Sequence, residues 1–322
     1  MKVSLVTETF NFLEGSSLEE LRRALRAAVA LRDSGEALEV LLADASGDTT
    51  IRRMIAEEFP SVRRLEAAGL GYDAAKMRAA RAAQGEIVAY LDGDCAPGAG
   101  WLEKLIEPLR NGRAVATGGF TLYPPGFFRA ILSVMDFGFL LPRAERALGC
   151  YAFNNAAFLR QALLQVPVPE AELRCACYLH AQRFARLRTP MRLAPDARVR
   201  HELPPTLRER LRRGYDTVAV CWADGQLRES KWLRRGILAA PRFYAEAIKL
   251  DWRRLRAGYR DLGLSRWQMR LALPLFPILR LIDLAGIAGA LLFGPKSRRW
   301  LDWSSSRYGA LMALGCWLTI TA

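Results

Sequence analysis

The sequence predicts an α/β fold: a mixed, mainly parallel sheet flanked by helices, followed by a helical C-terminal region. Three observations lead there. Over the first 120 residues, short apolar runs alternate with amphipathic stretches, the order that builds parallel sheets. Polar clusters follow the first, second and fourth apolar runs, at the strand ends where open α/β sheets bind ligands. From Leu207 onward the alternation gives way to basic, aromatic-rich helical patterns.

Taken in order, Val3–Thr7 reads as a strand. Leu18–Ser34 places Leu18, Leu21, Leu25, Ala28 and Leu31 on one helical face, and Ser17 with Glu20 forms a capping-box pattern. Glu39–Ala43 is a near-continuous apolar strand, and Asp44-Ala45-Ser46-Gly47-Asp48 after it is loop chemistry. Thr50–Glu58 reads as a helix, Val62–Leu65 as a short strand and Tyr72–Ala83 as an Ala-rich helix. Gly85 ends that helix before the buried-type strand Glu86–Leu91. The expected divisions are residues 1–115, 116–206 and 207–322.

With 51% hydrophobic and 25% charged residues in 322, the composition excludes long disorder, collagen-like repeats and disulfide scaffolds. The formal charge is +14, and nine of those charges fall between Leu207 and Arg270, where 16 basic residues face 7 acidic ones. Such a stretch points to a polyanionic surface. No nucleic-acid module is recognisable, and an apolar tail has no use in one, so the expected partner is an anionic membrane surface and not nucleic acid. The six cysteines have no framework and read as reduced thiols. Cys175 and Cys177 lack the second pair that a zinc site needs. The N-terminal stretch opens on a strand pattern without a basic start or long apolar run, so the α/β part is expected to face the cytoplasm.

The sharpest local signal is Asp92-Gly93-Asp94, directly after Ile87–Leu91. Two carboxylates one residue apart at a strand end can share a side, and the glycine between them lets the chain turn sharply. Carboxylate oxygens suit Mg²⁺ or Mn²⁺. Bare carboxylates repel a diphosphate by roughly 4 kcal/mol per close charge pair at an effective dielectric near 20, and a divalent cation reverses that sign. An isolated pair of this kind is usually a solvated turn. Its place at the end of a buried strand favours the metal reading.

These residues, with others, resemble family 2 glycosyltransferases of the GT-A fold over about residues 2–205. The matching stretches are Val3 through Asn11, Glu39 through Asp44 with Ser46 and Asp48, Gly71 through Lys76 to Glu86, Leu91 through Asp94, Gly118-Gly119, and Pro195 through His201. The resemblance implies that 1–115 is the nucleotide-sugar half and 116–206 the acceptor half of one domain. It implies that Thr7, Glu8 and Asp44 line the nucleobase and ribose pocket, that Lys76 faces the diphosphate, and that Asp92 and Asp94 hold metal and ribose. His201 matches a late His that completes metal coordination in some members. The donor is then a UDP- or GDP-sugar, the cofactor Mn²⁺ or Mg²⁺, and transfer inverting.

The resemblance departs at Met77, where members commonly have an Asn after the basic residue, and at the general base. Many members carry a Glu-Asp pair about twenty residues before the stretch ending in His201, and its Asp is the general base; here that place holds Arg174 through Tyr178. Glu170, Glu172 and His180 are the nearby candidates, with Glu172 and His180 foremost. An already ionised acceptor such as a lipid phosphate would need no base. The alternative is a non-catalytic nucleotide-sugar-binding or scaffold protein that has lost the base.

Leu271–Phe293, at 23 residues, is long enough to span a bilayer, but contains Pro274, Pro277, Arg280 and Asp283. Its apolar residues contribute roughly −4 to −8 kcal/mol on an insertion scale, against roughly +5 to +7 for the two charges. Tyr308–Ala322 is too short to span alone. Helices lying in or re-entering from the cytoplasmic membrane face suit these facts, with an acceptor that is lipid-linked or an envelope glycan.

Overall fold

A computed structural model describes residues 1–13, 16–35, 37–169, 176–202 and 205–294. The chain forms two compact units that divide near residue 204.

The first unit follows the expected alternation. β1 (Val3–Glu8) is buried along its whole length, as a central parallel strand must be. The short α1 (Phe10–Leu13) leads to α2 (Leu18–Asp33), where Ser17 and Glu20 form the expected reciprocal cap. β2 (Glu39–Asp44), α3 (Thr49–Glu58), β3 (Val62–Glu66), α4 (Tyr72–Ala82) and β4 (Ile87–Leu91) complete the repeating half. The strands beyond it were not legible as a pattern: β5 (Cys95–Pro97), β6 (Ala116–Leu122), β7 (Asn155–Leu159) and β8 (Arg192–His201), with α5 (Trp101–Arg110), α6 (Phe127–Phe137), α7 (Arg160–Gln165) and α8 (Ala176–Arg186) among them.

All eight strands form one sheet in the order β3-β2-β1-β4-β7-β6-β8-β5. The pairs β1–β2, β1–β4, β2–β3 and β6–β8 are parallel, while β7 and β5 run antiparallel to their neighbours. The two expected halves thus contribute to a single sheet. One layer of core packs α2, α3 and α5 side chains against it, including Leu25, Ile51, Trp101 and Leu105. Trp101 donates its indole N–H to Asn155 Oδ1 at 2.8 Å, and Asn155 donates to the Ala197 carbonyl at 3.0 Å. These bonds join α5, β7 and β8, and so hold the end of β8 in register beside β5.

The second unit is helical: α9 (Leu207–Ala223), a 3-10 stretch over Arg228–Ala239, α10 (Ala240–Gly258), α11 (Arg266–Ala272), α12 (Leu275–Leu279) and α13 (Leu281–Phe293). α9 and α13 cross so closely that a Cβ at Gly286 would lie 2.1 Å from the Leu211 carbonyl oxygen. Inside the unit, Arg210 pairs with Asp283, and Arg280 pairs with both Asp283 and Asp251. The two charges of the Leu271–Phe293 run, Arg280 and Asp283, therefore pair with each other, and they do so in a protein interior.

The single apolar run Leu271–Phe293 is not one helix. Pro277 has no N–H for the Leu273 carbonyl, and the path breaks around Pro274 and Arg280. α10 takes up the freed groups: Trp252 Nε1 donates to Leu273 O at 2.8 Å, and Tyr244 OH to Pro277 O at 2.6 Å. No described helix is long and apolar enough to cross a membrane. Tyr308–Ala322 and the basic segment before it lie outside the described residues.

Candidate active site

The residues expected to bind nucleotide and metal come from separate elements and meet at the carboxyl ends of β1, β2 and β4, beside the last residue of β8. Parallel pairing of β1 with β2 and β4 brings Glu8, Asp44 and Asp92 to one edge of the sheet. Gly93 is required by the crowding there: a Cβ at this position would lie 2.8 Å from the Glu8 carbonyl oxygen and 3.0 Å from Leu21 Cδ1.

Asp92 is buried and closely held. Its Oδ1 accepts from the Lys76 ammonium, and its Oδ2 from the Tyr72 hydroxyl at 2.6 Å and Asn11 Nδ2 at 3.3 Å. Lys76 has no exposed side-chain surface. Its ammonium also donates to Tyr72 OH at 2.5 Å and to the Phe153 carbonyl at 3.1 Å. It lies 4.0 Å from the Tyr72 ring centroid and 4.6 Å from that of Phe153. A buried lysine needs this: an opposite charge, two oxygens and ring faces that replace water.

Asp94 accepts from Asn11 Nδ2 at 2.9 Å through Oδ1, and its Oδ2 lies 3.4 Å from His201 Nε2. Burial first, and then the negative charge of Asp92, push the Asp94 carboxyl above its usual range, although His201 pulls it down. His201 enters through β8, whose pairing with β5 sets it opposite Cys95. Its ring packs between Tyr123 and Phe137, with centroids 5.6 and 5.7 Å away. Ligand atoms of Asp94, Cys95 and His201 all fall within 4.8 Å of one another.

Glu8 is fully buried. Its Oε2 accepts from the backbone N–H groups of Phe10 and Asn11, whereas Oε1 has no partner among the described residues. Burial, reinforced by Asp92, holds this carboxyl well above the ordinary range. Thr7 is likewise buried, and its hydroxyl is unpartnered among the described residues.

Asp44 is buried and well supplied with donors. Oδ1 accepts from Thr9 OH at 3.1 Å and from the Ser46 N–H and hydroxyl at 3.1 and 2.5 Å; Oδ2 accepts from Arg64 Nε at 2.6 Å. Burial alone would raise its pKa, but the hydrogen bonds from Ser46 and Arg64 outweigh it and the carboxyl titrates below its usual value.

The three base candidates fare differently. Glu170 and Glu172 lie outside the described residues. His180 is a core residue, and the general-base expectation fails for it. Nε2 donates to the Val166 carbonyl at 2.6 Å, which makes Nδ1 the acceptor of the Tyr151 hydroxyl at 2.8 Å. The ring packs against Phe158 and Phe184. Neither nitrogen is left for an acceptor hydroxyl, and burial lowers the pKa to about 4.

Sequence reasoning missed Asn11, Tyr72, Phe153, Arg64 and Tyr123. Tyr72 had a signal in hindsight, since it lies one helical turn before Lys76 and shares its face. Asn11 stands in α1 just after β1, and nothing local says that it bridges Asp92 and Asp94. Phe153 and Tyr123 reach the site only through the sheet.

The sequence pattern of glycosyl transferase family 2 matches residues 4–166, just over half the chain. No curated protein matches the chain. Among solved structures it is similar to GalNAc-T7 with UDP, GalNAc and Mn²⁺, at TM-score 0.50 and 14% identity over 63% of this chain and 43% of that one. The present chain thus spans under half of that protein's length. The mannosyltransferase PcManGT from Pyrobaculum calidifontis, in complex with GDP-Man and Mn²⁺, gives TM-score 0.47 and 17% identity over 98% of this chain and 80% of that one. A mycobacterial protein gives 0.48 and 18% over 68% and 73%. The first likeness bears on the fold, a mixed and mostly parallel sheet flanked by helices, and the family match bears on descent. This chain belongs to glycosyl transferase family 2.

Proposed function

We propose that the chain transfers a glycosyl group, with inversion, from a UDP- or GDP-sugar to a lipid-linked or envelope-glycan acceptor at the cytoplasmic membrane face, using a divalent cation at the Asp92-Gly93-Asp94 turn. The observation that carries the metal reading is the Asp94–His201 pair. Two adjacent ligands of a six-coordinate ion with bonds of about 2.1 Å lie about 3 Å apart, close to the 3.4 Å between Asp94 Oδ2 and His201 Nε2. A carboxylate with an imidazole fits Mn²⁺ better than the all-oxygen preference of Mg²⁺. Cys95 fits less well: burial raises its thiol well above the ordinary range, and only the thiolate is a good ligand. When bound, the cation would neutralise the diphosphate and stabilise it as leaving group. GalNAc-T7, whose fold is similar, was solved with UDP and Mn²⁺, which supports the same reading.

The remaining residues have work that follows from their geometry. Lys76, Tyr72 and Asn11 fix the rotamer of Asp92, and Asn11 ties it to Asp94, so the two carboxylates are oriented before donor arrives. Glu8 Oε1 and the Thr7 hydroxyl are buried groups without a partner among the described residues, and the hydroxyls of a ribose would supply one. Asp44 and Arg64 form the β2–β3 edge for the nucleobase. Glu172 stands as the carboxylate base for an acceptor hydroxyl.

The test is hydrolysis and transfer assays on UDP- and GDP-sugars with and without Mn²⁺, together with Mn²⁺ titration followed by electron paramagnetic resonance. Asp94→Asn and His201→Ala should each weaken Mn²⁺ binding at least tenfold while melting as wild type. Wild-type Mn²⁺ affinity in both variants would remove the metal assignment. Donor binding without turnover on any membrane extract would favour the non-catalytic reading.

A further inference from the structure

The segment from Arg266 to Phe293 is broken as a hydrogen-bonded helix, yet its joints keep right-handed helical angles: Leu273 at φ −55°, ψ −46°, Pro274 at −72°, −14° and Arg280 at −76°, −7°. Residues three and four apart therefore stay on one side throughout. Trp267, Leu271, Pro274, Ile278, Leu281, Ala285, Ala288 and Leu292 follow one another at spacings of 4, 3, 4, 3, 4, 3 and 4 along that path. Seven of the eight are exposed, and Ala288 is half-buried. Trp267, Ile278, Leu281 and Leu292 are exposed by 66, 62, 55 and 58%, far more than isolated surface apolar residues need. The stripe carries no charge. The opposite side, with Ala272, Phe276, Asp283, Ile287 and Ala290, is buried in the unit, and the two charged side chains of α12–α13 are spent there on Arg210 and Asp251.

We propose that this stripe lies flat in the headgroup region of an anionic bilayer and docks the second unit there. Apolar helix surface belongs in a core or in lipid, and α13, whose one charged residue Asp283 is buried, has only one side in a core. Lipid is favoured over a protein partner by the charge around the stripe. Arg266 and Arg270 are exposed beside Trp267 and Leu271, and the stretch from Leu207 to Ser265 before them adds 14 basic residues against 7 acidic ones. Trp beside Arg is the pairing that suits the boundary between headgroups and acyl chains. The anchoring of Leu273 and Pro277 by Trp252 and Tyr244 keeps the path bent along the unit, so it lies in the interface and does not cross. This deepens the lipid-linked acceptor reading by naming the surface that meets the lipid. It needs neither metal nor donor, so it can fail while glycosyl transfer stands.

Flotation of the full chain with phosphatidylcholine vesicles, with and without 30% phosphatidylglycerol, tests the proposal without any sugar nucleotide. The wild type should float with the anionic vesicles, and salt should weaken the binding without abolishing it. The double substitution Ile278→Asp, Leu281→Asp should lower binding at least tenfold while keeping the wild-type melting curve, because both side chains point outward. Trp267→Ser with Leu271→Ser, on α11, should do the same and guards against a folding defect in the first pair. If both double variants float as the wild type does, the stripe is not the docking surface and another segment binds the lipid. If they float unchanged but convert an oligomer to monomer in gel filtration, a second copy covers the stripe and the proposal is overturned.

Discussion

His180 is a buried neutral imidazole in the core of the first unit, and its burial has a measurable effect on stability. Its neutral ring accepts from Tyr151 and donates to Val166, and burial lowers its pKa to about 4 against about 6.5 in an unfolded chain. Between those values the unfolded state binds more protons than the folded one, so stability rises with pH. The contribution is fully present above about pH 6.5 and is lost as the pH falls toward 4. A separation of about 2.5 units corresponds to about 3 kcal/mol in all, of which about 2 kcal/mol is gone by pH 5. Glu8 and Asp94 act in the opposite sense, since their raised carboxyls favour the folded state in acid, so the measurement must be a difference. Urea unfolding of wild type and His180→Gln, compared from pH 7.5 to 5, isolates the His180 part. The wild type should be the more stable at neutral pH, and its advantage should shrink by about 2 kcal/mol at pH 5. A gap constant within about 0.5 kcal/mol would mean that His180 is accessible and titrates normally, and would restore it as a base.

Two further outcomes bear on the site. Gly93→Ala places a methyl 2.8 Å from the Glu8 carbonyl oxygen and should destabilise the first unit by about 1–3 kcal/mol and loosen Mn²⁺ binding; a melt and an Mn²⁺ titration unchanged from wild type would show that the turn has room to relax. Asp44→Asn and Arg64→Met should both weaken UDP or GDP binding in calorimetry, since each undoes the 2.6 Å pair that shapes the β2–β3 edge. Unchanged affinity for both nucleotides in both variants would place the nucleobase elsewhere.

The first half of the sheet was legible because each of its elements declares itself locally. Parallel strands buried on both faces read as apolar runs, and the helices between them carry a 3.6-residue stripe and a cap, as Ser17 and Glu20 show. Asp92-Gly93-Asp94 was legible for the same reason, as two like charges at the end of such a run. The second half was not, because β5 has three residues and β8 takes its place by pairing with β5 and β6, more than 70 positions away. No local pattern encodes that pairing, and it alone delivers His201 to Asp94.

Charge and hydropathy counted residues correctly in the C-terminal third but could not say which way they face. Leu271–Phe293 has the length of a span, and the sequence fully specifies its prolines and its Arg280–Asp283 pair. Whether those charges meet lipid or protein depends on Arg210 and Asp251, which other helices supply. His180 teaches the same lesson in reverse. Its residue type and its position near the expected base marked it as reactive. A carbonyl at Val166, a hydroxyl at Tyr151 and two phenylalanine rings, all set by the tertiary fold, made it a core residue. Sequence determined which chemical groups this protein has and where along each strand they stand. Only folding decided which of them share a dry enclosure, because burial and long-range pairing, not residue type, set a side chain's charge and its partners.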